Sequence, residues 1–286
     1  MAKFTFDTHG PIFQGAHREL RPGAVALFGA CYDGTTSFRP GARFGPDALR
    51  TASPGLEGYS PEQDADYEVE VDLADLGNLE LPTGAPEPVR AIIHAATAHL
   101  LEKRAKPFLL GGEHSVSVGA IQAMAELYPD LTLIQIDAHA DLRPDYLGEP
   151  LNHACAIRRA LDMLPSEQVL QVGIRSGTRE EFEELREQNR LIAPQAAALA
   201  ERLKDTRGPI YLTVDLDVFD PAYMPGTGTP EPGGIDWPTF AALLSVIPSS
   251  RLFGADVVEL APLLDPTGCS SVLAAKVVRE ILIKLG

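Results

Sequence analysis

Three segments of the chain each end an apolar run in side chains that can ligate a metal ion. The segments are FLLGGEH, LTLIQIDAHAD and YLTVDLD, and in the second and third the polar residues occupy alternate positions. Alternate residues of a strand point to the same face, so each segment would present its polar groups together. The candidate ligands are His114, Asp137, His139, Asp141, Asp215 and Asp217.

The charge of these residues predicts a pair of divalent cations. At an effective dielectric constant of about 20, two carboxylates roughly 4 Å apart repel by about 4 kcal/mol. Two divalent cations neutralise the four carboxylates of the set. Oxygen-rich coordination with one imidazole per ion is typical of Mn²⁺, whereas Zn²⁺ more often takes thiolates or further imidazoles. A water shared by two such ions loses a proton near neutral pH, which predicts a binuclear metallohydrolase.

The elements that would position these residues alternate between strands and helices. Near-continuous apolar runs predict strands at 24–30, 107–112, 131–137, 169–175, 209–217 and 252–260. Helical patterns fall at 86–104, 115–127, 178–190, 235–247 and 270–284. The alternation predicts an α/β fold with three layers around a doubly wound, mostly parallel sheet. Such folds bind ligands at the carboxyl ends of their strands, where the polar groups lie.

Composition limits the class of protein. The chain has 286 residues, which we interpret as a single domain over 1–286 with residues 1–20 as an extension packed against it. A net charge of −16 disfavours nucleic acid as a partner and would favour a cationic ligand. No apolar run is long enough to cross a membrane. Three widely spaced cysteines indicate reduced thiols and a cytoplasmic protein.

A set of motifs resembles the ureohydrolase family of arginases and agmatinases. The motifs are GGEHS, DAHADLR, NHACAIRRA, VDLDVFDP, PGTGTPEPGG and DVVELAP, and they occur in the family's order from about residue 24 to the C-terminus. The resemblance implies an arginase-like fold and two Mn²⁺ ions held by the six ligands named above. It also implies that Asp137 and Asp217 lie between the ions. The family pattern has Asp where this chain has Glu113, so the support of His114 is expected to differ.

The resemblance also implies roles for residues outside the ligand set. Glu259 matches the family carboxylate that grips the guanidinium, and His153 matches the histidine that moves protons or holds the substrate. Asp141 is implied to hydrogen-bond the hydroxide that attacks the guanidinium carbon. Asp141 and His153 are then the available proton carriers for the departing amine.

The segment around His153 bears on the far end of the substrate. It carries Asp145 and Glu149, and its only amide is Asn152, which we interpret as a substrate-binding residue beside His153 and Glu259. An arginine site needs several donors for an α-carboxylate. The resemblance is therefore to the agmatinase branch, with agmatine cleaved to putrescine and urea in polyamine synthesis. Aminopropylagmatine, guanidinobutyrate and arginine stay open as substrates.

Two more distant alternatives belong to other classes. One is a deacetylase-like hydrolase with one zinc ion, which would not need both aspartate pairs. The other is a non-catalytic relative, which loss of ligands would mark. The family resemblance also implies a homo-oligomer, a trimer or a hexamer.

Overall fold

A nine-stranded sheet forms the centre of the computed structural model, which describes residues 2–286. The strands of the chain are β1 (Phe6–Asp7), β2 (Val25–Gly29), β3 (Tyr59–Ser60), β4 (Ala65–Asp66), β5 (Leu73–Leu79), β6 (Lys106–Leu110), β7 (Thr132–Ile136), β8 (Val169–Val172), β9 (Leu191–Ile192), β10 (Ile210–Asp215) and β11 (Leu252–Val258). The order across the sheet is β1-β5-β2-β6-β11-β10-β7-β8-β9, and β3 pairs with β4 separately. All pairs of the large sheet are parallel except β1 with β5.

Helices cover both faces of this sheet. They are α1 (Gly45–Ala52), α2 (Tyr67–Glu70), α3 (Pro86–Glu102), α4 (Ser117–Leu127), α5 (Ala156–Leu161), α6 (Arg179–Glu187), α7 (Ala196–Leu203), α8 (Trp237–Ser245) and α9 (Cys269–Leu285). Strand β2 shows the two faces: Val25 and Leu27 pack in one apolar core with α8 and α9, and Ala26 and Phe28 in the other with α3 and α4. The predicted three-layer α/β fold is confirmed.

Each of the six predicted strands and five predicted helices is present in the structure, and the observed ends differ from the predicted ends by a few residues. The apolar patterns do not predict strands β1, β3, β4, β5 and β9 or helices α1, α2, α5 and α7. Helix α1 begins at Gly45, at the end of a glycine-rich stretch that has no helical pattern. Pro46 lies in its first turn, where proline needs no amide hydrogen and its fixed φ favours the helix.

Strand β5 was missed because buried polar residues interrupt its apolar pattern. Asp75 and Arg50 are both buried, and the Arg50 Nε and Nη2 atoms donate to the two carboxylate oxygens at 2.9 and 3.0 Å. A second donor, the Phe13 amide, lies 2.8 Å from Asp75 Oδ2. The paired charge is what allows an aspartate inside a covered strand.

The N-terminal segment contacts the sheet edge through β1, whose residues Phe6 and Asp7 pair with β5. The extent of one domain over 1–286, with 1–20 as its extension, stays a prediction. Within residues 2–286, no helix is both long and apolar enough to cross a membrane.

Asp265 caps the start of α9 and provides a test of the fold's pH dependence. Its carboxylate accepts from the amides of Ser270 at 2.7 Å and Thr267 at 3.0 Å. Hydrogen bonds from Thr267 and Ser270 lower the pKa of Asp265 to about 2. The charged form is favoured in the folded state, so its stabilisation is complete above pH of about 4 and declines as the pH falls towards 2.

We therefore expect Asp265→Asn to lower the free energy of unfolding by about 0.5–1 kcal/mol at pH 7, the usual contribution of a negative charge near a helix N-terminus. Urea unfolding of both proteins at several pH values measures the difference, which should shrink as the pH falls from 4 towards 2. A difference that stays constant over this range would contradict the role of the Asp265 charge.

Candidate metal centre

The carboxyl ends of four adjacent strands bring the predicted ligands together. Strands β6, β11, β10 and β7 lie side by side in this order. His114 follows β6, Asp215 ends β10, and Asp137 follows β7 directly. Strand β11 lies between β6 and β10, so the strand that precedes His114 is not a direct neighbour of the strand that ends in Asp215.

The first group of potential ligands surrounds His114. The Nδ1 atom of His114 lies 3.0 Å from Asp141 Oδ2, 3.1 Å from Asp137 Oδ2 and 3.4 Å from Asp215 Oδ2. All four side chains are buried. One imidazole nitrogen therefore faces three carboxylates in a space that water hardly reaches.

The second group shares Asp137 with the first. His139 Nδ1 lies 2.9 Å from Asp217 Oδ2 and 3.8 Å from Asp137 Oδ1. The ligand atoms of Asp137, His139 and Asp217 all lie within 4.8 Å of one another, as do those of His114, Asp137 and Asp141. Two adjacent clusters with a common carboxylate are the arrangement that a pair of cations requires.

Hydrogen bonds behind His114 determine which of its nitrogens is free. The Thr213 hydroxyl lies 2.9 Å from His114 Nε2 and 2.5 Å from Asp256 Oδ1. Because a carboxylate can only accept, the hydroxyl hydrogen goes to Asp256, and the Thr213 oxygen accepts from Nε2–H. The lone pair of the neutral imidazole is then on Nδ1, which is buried and has no hydrogen-bond partner among residues 2–286.

The charges in the cluster shift the pKa values of its members strongly. Burial and the charges of Asp141 and Asp217 raise the pKa of Asp137 to about 7, and burial also raises that of Asp215. Burial lowers the pKa of His139, but the Asp217 charge outweighs it and raises the value to about 11. The pKa of Asp217 is lowered to about 2 because His139 outweighs its burial. These pKa shifts indicate buried carboxylates that lie close enough to repel one another electrostatically.

This donor set fits a pair of divalent cations. It offers four carboxylates, two imidazoles and an unpaired, buried Nδ1, and cysteine is absent from both clusters. Oxygen-rich sets of this kind suit Mn²⁺, Mg²⁺ or similar ions better than Zn²⁺. The two clusters that share Asp137 together form this donor set, with one cation expected in each.

Two backbone features direct side chains into the cluster. Asp141 has a left-handed backbone with φ of 54°, which turns the chain after β7 so that its carboxylate reaches His114. Gly112, before His114, crosses the segment at Tyr32 so closely that a Cβ atom would lie 1.8 Å from the Tyr32 carbonyl oxygen. Only glycine allows this crossing.

His153 and Glu259 lie beside the cluster and contact each other. Glu259 Oε1 accepts from the His114 amide at 2.8 Å and lies 3.3 Å from His153 Nδ1. The Ser37 amide donates to His153 Nε2 at 3.1 Å, so the neutral imidazole carries its proton on Nδ1. Burial lowers the pKa of His153, but the bond to Glu259 outweighs it and raises the value to about 9.

Glu113 and Asn152 hold the segment that carries Ser37. Glu113 accepts from the Thr35 amide at 2.8 Å and from the Ser115 hydroxyl at 2.5 Å, and burial raises its pKa. Asn152 Nδ2 donates to the Thr35 carbonyl at 2.9 Å. The glutamate that replaces the family's aspartate thus contacts the loop after β2, and its side chain does not contact the imidazole of His114.

A cavity of about 240 Å³ opens onto the cluster, and we call it the inner cavity. Five of the six predicted ligands and His153 line it directly, whereas Asp137 and Glu259 are not part of its lining. The ligands that line it are His114, His139, Asp141, Asp215 and Asp217. Asn152 lies outside this lining, next to Thr35.

Several residues of the site were missed in the sequence analysis. Gln135 donates to Asp137 Oδ2 at 2.6 Å, and Thr213 bonds His114 as described above. Both are polar residues inside apolar strands, two positions before Asp137 and Asp215. Their spacing was a usable signal, because alternate residues share a face of the sheet. Ser37 and Tyr146 gave no such signal, since their positions depend on loop conformation.

Comparisons with known proteins agree with this site and fold. The model of the "Arginase family" matches residues 23–284. A protein of Halalkalibacterium halodurans named agmatinase is 42% identical over 279 residues, which cover 96% of each chain. The N(1)-aminopropylagmatine ureohydrolase of Thermococcus kodakarensis is 36% identical over 260 residues, which cover 86% of each.

The solved structures include the agmatine ureohydrolase of Thermoplasma volcanium, with 33% identity and a TM-score of 0.85 over 96% of this chain and 93% of that one. Arginase from Bacillus subtilis, at 22% identity and a TM-score of 0.77, shares the fold. Because the family model spans nearly the whole chain and relatives above 30% identity align with most of it, the chain belongs to the arginase family and is a ureohydrolase.

Proposed function

We propose that this ureohydrolase hydrolyses agmatine to putrescine and urea with two Mn²⁺ ions bound at the candidate metal centre. The observation that carries the proposal is the pair of clusters that share Asp137, next to the carboxylate of Glu259. Support for agmatine comes from the names of relatives at 41–42% identity over 96% of the chain.

The proposed ligands are those predicted from the sequence. His114, Asp141 and Asp215 would help to hold one ion and His139 and Asp217 the other, and Asp137 belongs to both clusters. That Asp217 also lies between the ions stays a prediction. When bound, such a pair of ions supplies an activated water near neutral pH and stabilises developing negative charge. Burial and the neighbouring charges of Asp141 and Asp217 raise the pKa of Asp137, and two bound cations would offset that repulsion.

Glu259 is proposed to bind the guanidinium of the substrate. Its Oε1 atom is engaged by His114 and His153, and Oε2 accepts no hydrogen bond from residues 2–286. A free carboxylate oxygen with its neighbour held in place is a suitable acceptor for the planar N–H groups of a guanidinium. The left-handed backbone of Glu259, with φ of 67°, is a strained conformation of the kind that clusters at active sites.

Asp141 and His153 are proposed to hold and move protons. The departing amine must gain a proton, and Asp141 is the carboxylate that both lines the inner cavity and lies nearest to His114 Nδ1. A proton on His153 Nε2 replaces the hydrogen bond from the Ser37 amide, and the Ser37 hydroxyl, 2.9 Å away, can then accept from Nε2–H. Proton exchange at His153 therefore changes its hydrogen bonding with Ser37.

A panel of guanidino compounds tests the proposed substrate. We expect the Mn²⁺-loaded protein to release urea from agmatine with a kcat/KM at least about tenfold above that for arginine, 4-guanidinobutyrate and N1-aminopropylagmatine. The reason is that one ion pair or one steric clash at the end of the substrate away from the guanidinium changes the binding free energy by about 1.4 kcal/mol. Urea is measured by a coupled colorimetric assay. A clear preference for any of the other three compounds would contradict agmatine as the substrate and leave the metal centre untouched.

A further inference from the structure

A second cavity lies next to the inner cavity, and we call it the outer cavity. It measures about 440 Å³ and lies between the loop after β2, the start of α3 and the turn over 146–149. Ser37 and Tyr146 line both cavities, so the two meet at these side chains. A linear molecule with its guanidinium at the metal centre can extend past them into the outer cavity.

The outer cavity carries one negative charge. Among the described residues that line it, Glu149 is the only charged side chain, and the others are polar or apolar without charge. Its Oε1 atom accepts from the Leu151 amide at 2.9 Å. Within residues 2–286, no Lys, Arg or His nitrogen lies within 4.0 Å of the Glu149 carboxylate, so the protein does not neutralise its charge.

Backbone hydrogen bonds hold Glu149 at this position. The amides of Tyr146 and Glu149 donate to each other's carbonyl oxygens at 3.1 Å, and the two central residues, Leu147 and Gly148, have φ of 53° and 85°. This is the geometry of a tight type I′ hairpin turn. Asp145 Oδ1 also accepts from the Gly148 amide at 2.9 Å. The carboxylate of Glu149 therefore sits on an ordered turn.

The inner cavity has a positive charge near its opening to the outer one. Arg143 lines the inner cavity, and its guanidinium lies 5.5 Å from the centre of the Tyr146 ring. The Arg143 charge disfavours an ammonium group on its own side of Tyr146. An ammonium group beyond Tyr146 meets Glu149 instead. Arg143 and Glu149 thus place a positive and a negative charge on the two sides of Tyr146, along the path that a long cationic substrate would follow.

We propose that the Glu149 carboxylate binds the primary ammonium at the far end of a linear guanidinoalkylamine. This inference rests on the proposed function, because it takes the guanidinium to lie at the metal centre. The outer cavity is then the subsite that recognises the substrate's tail, and Glu149 is a specificity-determining residue that takes no part in the reaction at the guanidinium carbon.

The test compares two substrates of equal length in the Mn²⁺-loaded full-length protein. Pentylguanidine has a methyl group where agmatine has its ammonium, so only agmatine can pair with Glu149. We expect Glu149→Gln to lower kcat/KM for agmatine by about fivefold, mainly through KM, which is the value of one partly exposed ion pair. The kcat/KM for pentylguanidine should stay unchanged. An equal fall for both substrates, or no change for agmatine, would overturn the proposal.

Asp145→Asn is the matched control on the same turn. It removes the same charge four residues away, retains an oxygen that can accept from the Gly148 amide, and lies outside the lining of both cavities. We expect its kinetics with both substrates to equal those of the unmodified protein. A loss of agmatine turnover as large as that of Glu149→Gln would assign the effect to general charge and reject a specific site.

Binding measurements separate a failure of this inference from a failure of the proposed function. If no guanidino compound yields urea, the proposed function is wrong, and calorimetric titration with agmatine and pentylguanidine still tests Glu149. Weaker binding of agmatine alone, by about fivefold in Glu149→Gln, supports the tail subsite. Equal agmatine affinity in the two proteins rejects it.

Discussion

Asp141→Asn is expected to lower kcat for agmatine by about 10³-fold while most of the bound metal is retained. The amide oxygen of asparagine can still ligate a cation next to His114, but it cannot hold a proton. Positioned proton transfer contributes about 10²–10⁴ to enzymatic rates, so its loss should dominate the effect. The structure places the carboxylate 3.0 Å from His114 Nδ1 and at the wall of the inner cavity.

Metal analysis and steady-state kinetics on the same preparation distinguish the proton role from metal loss. We expect Asp141→Asn to hold more than about half of the normal metal content and to show KM within a few-fold of normal, since the carboxylate is not part of the guanidinium contact. Turnover close to that of the unmodified protein would refute the proton role. Loss of turnover in proportion to metal would assign Asp141 to metal binding alone.

Glu259→Gln is expected to lower kcat/KM for agmatine by about 10³-fold. Glutamine keeps the oxygen that accepts from the His114 amide at 2.8 Å, so the local backbone can stay in place. It lacks the negative charge that the buried guanidinium requires, and removing one partner of a buried, hydrogen-bonded charge pair costs about 2–5 kcal/mol. The measurement is kcat/KM for urea release, with metal content determined in parallel.

Glu181→Gln is the matched control for this variant. Glu181 also lines the inner cavity, but its oxygens accept from the amides of Leu142 at 3.0 Å and Thr178 at 2.7 Å, in the cap of α6. We expect this substitution to reduce stability by about 1 kcal/mol and kcat/KM only a few-fold. If the two glutamine variants lose the same activity, Glu259 has no special contact with the substrate.

The location of the site was predictable because its residues follow apolar strands. An apolar run that ends in carboxylates at alternate positions indicates both a strand and the face on which its polar groups lie. Parallel strands carry these ends to one edge of the sheet, where Asp137 and Asp215 meet beside His114. The neighbouring order of the strands, with β11 between β6 and β10, depends on chain connections that local patterns do not record.

Other parts of the molecule could not be predicted from local patterns because distant residues determine them. Strand β5 contains Asp75, whose charge is paired with Arg50 on α1, 25 positions earlier. The inward direction of Asp141 needs a left-handed backbone, which few residues other than glycine adopt. The sequence shows Glu149 as an acid near His153, but its place in the outer cavity depends on the turn at Leu147 and Gly148.

The number of metal ions bound per chain is the measurement that best tests a binuclear centre at these strand ends. The protein is stripped with a chelator, reloaded with excess Mn²⁺, freed of unbound metal and analysed by elemental mass spectrometry. Because Asp137 belongs to both clusters, we expect two Mn²⁺ ions per chain in the unmodified protein and loss of both in Asp137→Ala. One ion or none per chain, or unchanged metal content in Asp137→Ala, would contradict a binuclear centre at these strand ends.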